Sequence, residues 1–254
     1  MKVDNQAIYA ANWNTWTDMK IHGPASRALR SLIHDQLRGL RDSKDITSIL
    51  DVGCGEGTIT WYMAKWLPQA NVMGIDFSNA GIECGRARYS LPNLAFEHDE
   101  ESRRLAEHYD LVTAFEVLEH VEDWQSFLAR MAESAKTFVL VSFPTGRMRP
   151  FELNVGHFRN FKKGEVENFM RLQGFTAERI FYAGFPFYSP IYRELCNWTD
   201  SASNSFTTGK YGLRQKIVAS VFYSLFRYAS TRRRYGDQFC GLFRRNKFGE
   251  GAAH

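Results

Sequence analysis

The chain reads as an α/β protein built on a parallel sheet with helices on both faces. Three observations carry that reading. Strand and helix signals alternate from residue 46 onward. An apolar strand ends in Asp51 and runs into alternating glycines, Gly53, Gly55 and Gly57, before an amphipathic segment begins. Finally, 254 residues with 44% apolar and 15% aromatic content suffice for a sizeable core.

The elements follow in order. Residues 1–22 carry the aromatics Tyr9, Trp13 and Trp16, and Ser26 to about Leu40 places Leu29, Leu32, Ile33, Leu37 and Leu40 at helical spacing. Ser48–Val52 is a first strand and Thr58–Leu67 a helix stopped by Pro68. Asn71–Ile75 is a second strand, followed by a helix from about Asn79 to Tyr89. Leu94–Glu97 and Tyr109–Phe115 are the third and fourth strands, and Trp124–Ser134 is a helix. Thr137–Phe143 is a fifth strand, ending at Pro144. Lys162–Leu172 is a helix closed by Gly174, whose freedom at positive φ suits a C-terminal stop. Phe175–Tyr182 is a sixth strand.

After residue 183 the rhythm breaks. Residues 184–190 read as a loop, Ile191–Trp198 as a short helix, and Ser201–Gly209 as a polar, mobile stretch. Leu213–Tyr228 repeats Leu213, Ile217, Val221 and Leu225 at helical spacing, with Val218 and Phe222 beside them, and Gln238–Phe243 is a last apolar stretch.

Composition narrows the class. No run of about 18 apolar residues exists, which predicts no membrane-spanning helix. The N-terminus lacks the basic-then-apolar pattern of a secretory signal. Cys54, Cys84, Cys196 and Cys240 are widely spaced with no C-x-x-C pair, the usage of reduced thiols in a cytoplasmic protein. Net charge is +4, unevenly spread: residues 190–254 hold eleven Lys/Arg against four Asp/Glu, with clusters at residues 232–234 and 244–245. A solvated basic surface accounts for this; an anionic substrate, a nucleic acid or a membrane surface are the alternatives.

Small residues at the first strand-to-helix turn let a nucleotide-like ligand approach bare backbone. A dinucleotide fingerprint needs G-x-G-x-x-G. Here Thr58 stands where the third glycine of that pattern belongs, and Gly57 comes one residue early. Asp76 closes Val-Met-Gly-Ile-Asp, about 20 residues past the loop. Phe96-Glu-His-Asp99 and Tyr109-Asp-Leu-Val-Thr-Ala-Phe-Glu-Val-Leu-Glu-His-Val follow at ordinary spacing.

These four segments resemble class I S-adenosylmethionine (SAM) methyltransferases of the type 11/12 kind, over about residues 46–182 and the last strand. The likeness is to ubiquinone-pathway O-methyltransferases and to bacterial glycan or secondary-metabolite methyltransferases. The resemblance implies a Rossmann-like, seven-stranded, mostly parallel sheet whose last strand runs antiparallel beside the sixth. It implies an N-terminal helical cap (residues 1–44) that closes over the site, a SAM-binding core (45–183), a helical insertion (184–235), the last strand (236–247) and a tail (248–254). It also implies site roles. Asp51, Gly53 and Gly55, with Gly57 in the same loop, surround the methionine part of SAM. Asp76 accepts bonds from the ribose hydroxyls, although an acid at this place also suits a helix N-terminus, as do Ser78 and Asn79. Phe77 packs on the adenine, and Asp99 meets its amino group, with Glu100 and Glu101 as neighbouring choices. Phe115 and Glu116 close the fourth strand beside the methionine and form part of the substrate floor.

Methyl transfer from a sulfonium is an in-line displacement, and a hydroxyl acceptor needs help to lose its proton. Glu116, Glu119 and His120, at i, i+3 and i+4, lie on one side of a helical turn. His157 follows the fifth strand. Together they form a donor set for a divalent cation such as Mg2+, resembling the metal sites of ubiquinone-pathway catechol and small-RNA 2′-O-methyltransferases. The alternatives are His157 or His120 as general base, and Glu119 and His120 as loop-bracing residues. Arg147, Arg149 and Arg159 are candidates for an anionic group on the substrate.

The expected function is therefore SAM-dependent O-methylation of a small-molecule or sugar-containing acceptor by a monomer or homodimer. N-methylation or RNA methylation is one alternative, although no recognisable RNA-binding module is present. A non-catalytic SAM-binding partner subunit is another. Membrane contact through the basic C-terminal helix ranks below packing or dimerisation for its apolar stripe.

Overall fold

A computed structural model describes residues 16–41, 45–198 and 209–247. Tyr9 and Trp13, the polar stretch 201–208 and the tail 248–254 lie outside the described residues.

Seven strands form one sheet: β1 (Ser48–Val52), β2 (Asn71–Asp76), β3 (Leu94–His98), β4 (Tyr109–Phe115), β5 (Ala135–Pro144), β6 (Phe175–Ala183) and β7 (Gln238–Arg245). Their order is β3-β2-β1-β4-β5-β7-β6. The first five run parallel, and β7 lies antiparallel between β5 and β6. Strand order reverses between β1 and β4, where an open α/β sheet leaves a crevice at its C-terminal edge.

Both faces of the sheet are covered, which explains why β4 is buried along its whole length. Alternation assigns Ile49, Leu111, Phe138 and Leu140 to one face, and Leu50, Val112, Val139 and Val141 to the other. The first face packs under α2 (Pro24–Leu37), through Leu29, Leu32, Ile33 and Leu37, and under α3 (Thr58–Trp66), through Met63 and Ala64. The second packs under α5 (Trp124–Ser134), through Trp124, Leu128 and Met131, and α7 (Glu165–Leu172), through Val166 and Met170.

Local signals set the ends. Pro24 opens α2 at its first position. Ser78 caps α4 (Asn79–Arg88) by accepting from the Gly81 amide. Asp123 caps α5 through the Ser126 amide. The expected helix from Lys162 begins only at Glu165, because Gly164 sits at φ 85° and breaks the turn. Short helices α1 (Thr17–His22) and α6 (Pro150–Asn154) carry too few residues for a periodic signal.

The insertion contains a wide π-type turn (Phe187–Tyr192), α8 (Arg193–Trp198), α9 (Leu213–Ser224) and a second wide turn (Leu225–Ala229). Of the stripe expected to serve packing or a dimer face, the outer part is not covered within the chain. Leu213, Ile217, Val218 and Val221 are exposed, while α9 turns Ala219, Phe222 and Tyr223 inward. Arg27 of α2 donates to Ser220 at 3.0 Å and stacks over Tyr223. Phe226 is buried against Tyr188, Tyr192 and Phe222.

Candidate functional site

A cavity of about 850 Å3 opens at the C-terminal edge of β1, β2 and β4, within the roughly 300–1,000 Å3 range of ligand pockets. Its lining brings together Asp51, Gly53, Gly55, Asp76, Phe77, Asp99, Phe115, Glu116, Glu119, His120 and His157. Of the residues expected to hold the cofactor, a metal or the acceptor proton, all line it except Gly57. Gly57 instead starts α3 at φ 78°, and a Cβ there would meet the Phe96 ring at 2.4 Å. It stands off the cavity wall and lets the chain turn against β3. Gly53 does reach the cavity, at φ 72°, with Val117 where a Cβ would stand.

The acids at the strand ends differ in function. Asp51 is buried, and its two oxygens take the hydroxyls of Thr60 at 2.6 Å and Thr113 at 2.7 Å. Burial pushes its pKa up to about 6, against the pull of those two hydroxyls. It braces β1, α3 and β4 around the turn. Asp76 accepts the amides of Gly55 and Ser78, each at 2.7 Å. Burial raises its pKa and these amides hold it down. The helix cap of α4 is Ser78, so Asp76 is released from the capping role. Each of its oxygens keeps a second lone pair for a ligand hydroxyl.

Asp99 is buried whereas Glu100 and Glu101 are exposed, which separates the three neighbouring choices at this position. Burial raises the Asp99 carboxyl, but amides of Arg104, Arg103 and Glu101 outweigh it and leave the pKa below the usual value.

Beyond β4 the backbone is strained. Glu116 adopts φ 57°, a region that costs a non-glycine residue about 1–3 kcal/mol. Its amide donates to the Ser142 carbonyl, and its Oε1 accepts from Ser142 Oγ at 2.7 Å and Gln238 Nε2 at 2.9 Å. Burial raises its pKa against those two bonds. The left-handed residue breaks the regular turn that sequence spacing suggests. Only Leu118–His120 forms a 3-10 turn, so Glu116 does not share one helical side with Glu119 and His120.

Glu119, His120 and His157 do converge, each offering one donor atom within 4.8 Å of the others. Glu116 is not part of this group and is corrected out of the expected donor set. Glu119 is fully buried, and neither carboxylate oxygen has a hydrogen-bond partner. Burial drives its pKa well up, and the charges of Glu116 and Glu152 add to this. The His120 and His157 rings meet edge to face at 4.7 Å, and His120 Nδ1 lies 3.1 Å from the Gly156 carbonyl. Burial brings the His120 pKa down to about 4 and lowers that of His157. Both rings are therefore neutral near pH 7, with lone pairs for a proton or a cation.

Sequence reasoning missed Lys20, Arg30, Tyr188 and Gln238 on the cavity wall. Lys20 and Arg30 come from α1 and α2, Tyr188 from the insertion, and Gln238 from the start of β7. No local pattern marks them; the topology alone brings them to one rim. The three arginines expected near the acceptor are used internally. Arg149 is buried on Glu194, Arg147 bonds the same carboxylate, and Arg159 donates to the Glu122 carbonyl.

Comparison with known proteins agrees with this geometry. Residues 50–137 match the methyltransferase domain family Methyltransf_12. Those residues form a methyltransferase domain, and the chain is similar to SAM-dependent methyltransferases. It is 32% identical over 128 residues to malonyl-[acyl-carrier protein] O-methyltransferase of Acetivibrio thermocellus, covering 50% of this chain and 45% of that one. It is 27% identical over 209 residues to a ubiquinone biosynthesis O-methyltransferase of Histophilus somni, covering 74% and 79%. The match spans less than two thirds of the length of several of these curated relatives. In structure the chain resembles magnesium protoporphyrin IX methyltransferase of Synechocystis PCC 6803, which holds S-adenosylhomocysteine. The TM-score is 0.53 at 16% identity, over 87% of this chain and 83% of that one. At that identity the likeness concerns the fold. Among the described residues no helix is long and apolar enough to cross a membrane.

Proposed function

We propose that this class I methyltransferase transfers the sulfonium methyl of SAM to a hydroxyl on a small-molecule or sugar-containing acceptor. The observation that carries the acceptor half is Glu119: a fully buried carboxylate with two unpartnered oxygens, set against two neutral histidines on the wall of the cofactor cavity. An amine acceptor needs less such help. The names of the relatives, O-methyltransferases of an acyl-carrier substrate and of ubiquinone biosynthesis, favour oxygen.

The cofactor half rests on the glycine turn and the acids. SAM supplies an electrophilic methyl on a good, neutral leaving group. Gly53 and Gly55 leave the backbone bare for its amino-acid part, Asp76 accepts from its ribose, Phe77 packs on the adenine and Asp99 takes the adenine amino group. Phe115 and Glu116 close the floor toward the acceptor.

On the acceptor side, His120 and His157 are placed to take the hydroxyl proton as it is lost. The donor set also fits a divalent cation, because an ionised buried carboxylate without a partner is costly and a cation removes that cost. Glu119, His120 and His157 would hold it, and it would acidify the hydroxyl as a Lewis acid. Glu116 keeps the floor rigid through Ser142 and Gln238.

The test is transfer of labelled methyl from SAM to a panel of hydroxylated and aminated acceptors, before and after exhaustive dialysis against EDTA. Oxygen-linked label is expected. Label on nitrogen alone refutes the hydroxyl assignment. Full activity after chelation removes the cation and leaves the histidines as bases.

A further inference from the structure

We infer that the insertion docks the protein on an anionic lipid surface through the outer face of α9. Leu213, Ile217 and Val221 stand at i, i+4 and i+8 with 76%, 55% and 56% of their surface exposed, and exposed Val218 widens the band. Buried Ala219 lies on the opposite side of the helix. A continuous apolar stripe on an exposed helix marks a contact surface.

The charge around the stripe selects the occupant. Between residues 209 and 236 the chain has seven Lys/Arg and no Asp/Glu. Arg227 and Arg232 are paired with Asp35 of α2. Lys210, Arg214, Lys216, Arg233 and Arg234 are exposed, and none forms a salt bridge among the described residues. Arg214 projects beside the stripe and Lys216 flanks it, one turn from the N-terminus of α9. Tyr228 and Tyr235, both well exposed, add rings of the kind that settle at a water–lipid boundary. An apolar band rimmed by cations, in a segment that itself carries no acid, suits a helix lying in the headgroup layer of an anionic bilayer. A second copy would bring the same uncompensated cations face to face. A nucleic acid would leave Leu213, Ile217 and Val221 uncovered.

The anchor is tied to the site it would present. Through Ser220 and Tyr223, α9 packs on α2, whose Ala25, Ser26, Leu29 and Arg30 line the cavity. Docking would therefore hold the cavity roof near the lipid surface. The inference stands apart from the identity of the methyl acceptor.

Co-sedimentation of the full chain with vesicles tests it. The protein is expected to pellet with vesicles of phosphatidylglycerol and phosphatidylcholine in equal parts, and to stay in solution with phosphatidylcholine alone. Ile217→Asp with Val221→Asp should abolish pelleting. Both side chains are exposed, so circular dichroism and thermal melting should stay unchanged. Arg214→Gln with Lys216→Gln should weaken partitioning roughly thirtyfold. Equal recovery from both vesicle types, or undiminished pelleting of the aspartate variant, overturns the proposal. So does salt-sensitive binding of single-stranded RNA in place of vesicles, or a lipid-free dimer that the aspartate variant dissociates.

Discussion

Asp76 accepts the amide of Gly55 at 2.7 Å, so one carboxylate pins the end of β2 to the glycine turn after β1. Its other oxygen holds the Ser78 amide at the same distance. Both donors are buried. Asp76→Ala leaves two N–H groups without acceptors, at about 1–3 kcal/mol each, and removes the proposed ribose contact. Calorimetry should show SAM affinity falling at least thirtyfold, and unchanged affinity would refute the assignment. Asp76→Asn keeps the shape but offers one acceptor oxygen, and should fall between the two.

Gly57 serves the same turn from the other side. Its φ of 78° disfavours any side chain, and the Phe96 ring occupies the space of a Cβ. Gly57→Ala should lower stability in urea by roughly 2 kcal/mol or more. Phe96→Ala costs about 3–5 kcal/mol alone. The double variant should lose less than the two together, because removing the ring relieves the overlap but leaves the backbone strain. Strict additivity would show that Phe96 is not the obstacle.

The sheet was legible where residue type and burial agree. Tyr109–Phe115 is an unbroken apolar-rich run because β4 is covered on both faces. Spacing misled where the backbone leaves its regular path. Glu116, Glu119 and His120 read as one helical side, yet the positive φ of Glu116 turns it to Ser142 and Gln238. The stripe of α9 leaves packing and dimerisation both open, because periodicity reports amphipathicity and not what covers the apolar side. Gln238 and Tyr188 had no signal at all, since their place at the cavity follows from β7 entering between β5 and β6 and from the path of the insertion.

Glu119 couples the site to stability. Its folded pKa is raised, so its favourable contribution is complete below the unfolded carboxylate pKa and is lost as pH rises through the folded value. In chelator, Glu119→Gln should thus be more stable than the parent at pH 8, with the difference closing near pH 4. Methyl transfer should nevertheless fall roughly hundredfold, the cost of disabling an acid–base or cation-binding group. Urea titrations at the two pH values, beside a turnover assay, check both halves. A variant that is active and no more stable at pH 8 removes Glu119 from the chemistry.

His120 shifts in the opposite sense. Burial first, then the neighbouring His157, brings its pKa to about 4, with the Gly156 carbonyl pulling the other way. The folded ring stays neutral where the unfolded ring, near 6.5, takes a proton. Stability is then intact above about pH 6.5 and is lost as pH falls toward 4, by up to about 3 kcal/mol from this ring. His120→Gln should flatten that acid limb in urea titrations between pH 7 and 4.5, leaving the smaller share of His157. The same neutrality keeps a proton acceptor available through mild acid. The turnover of the parent should therefore show no inflection near pH 6.5 from His120, provided the protein remains folded. A histidine-like inflection at 6.5 that disappears in His120→Gln would place this ring in solvent and undo the buried-base assignment.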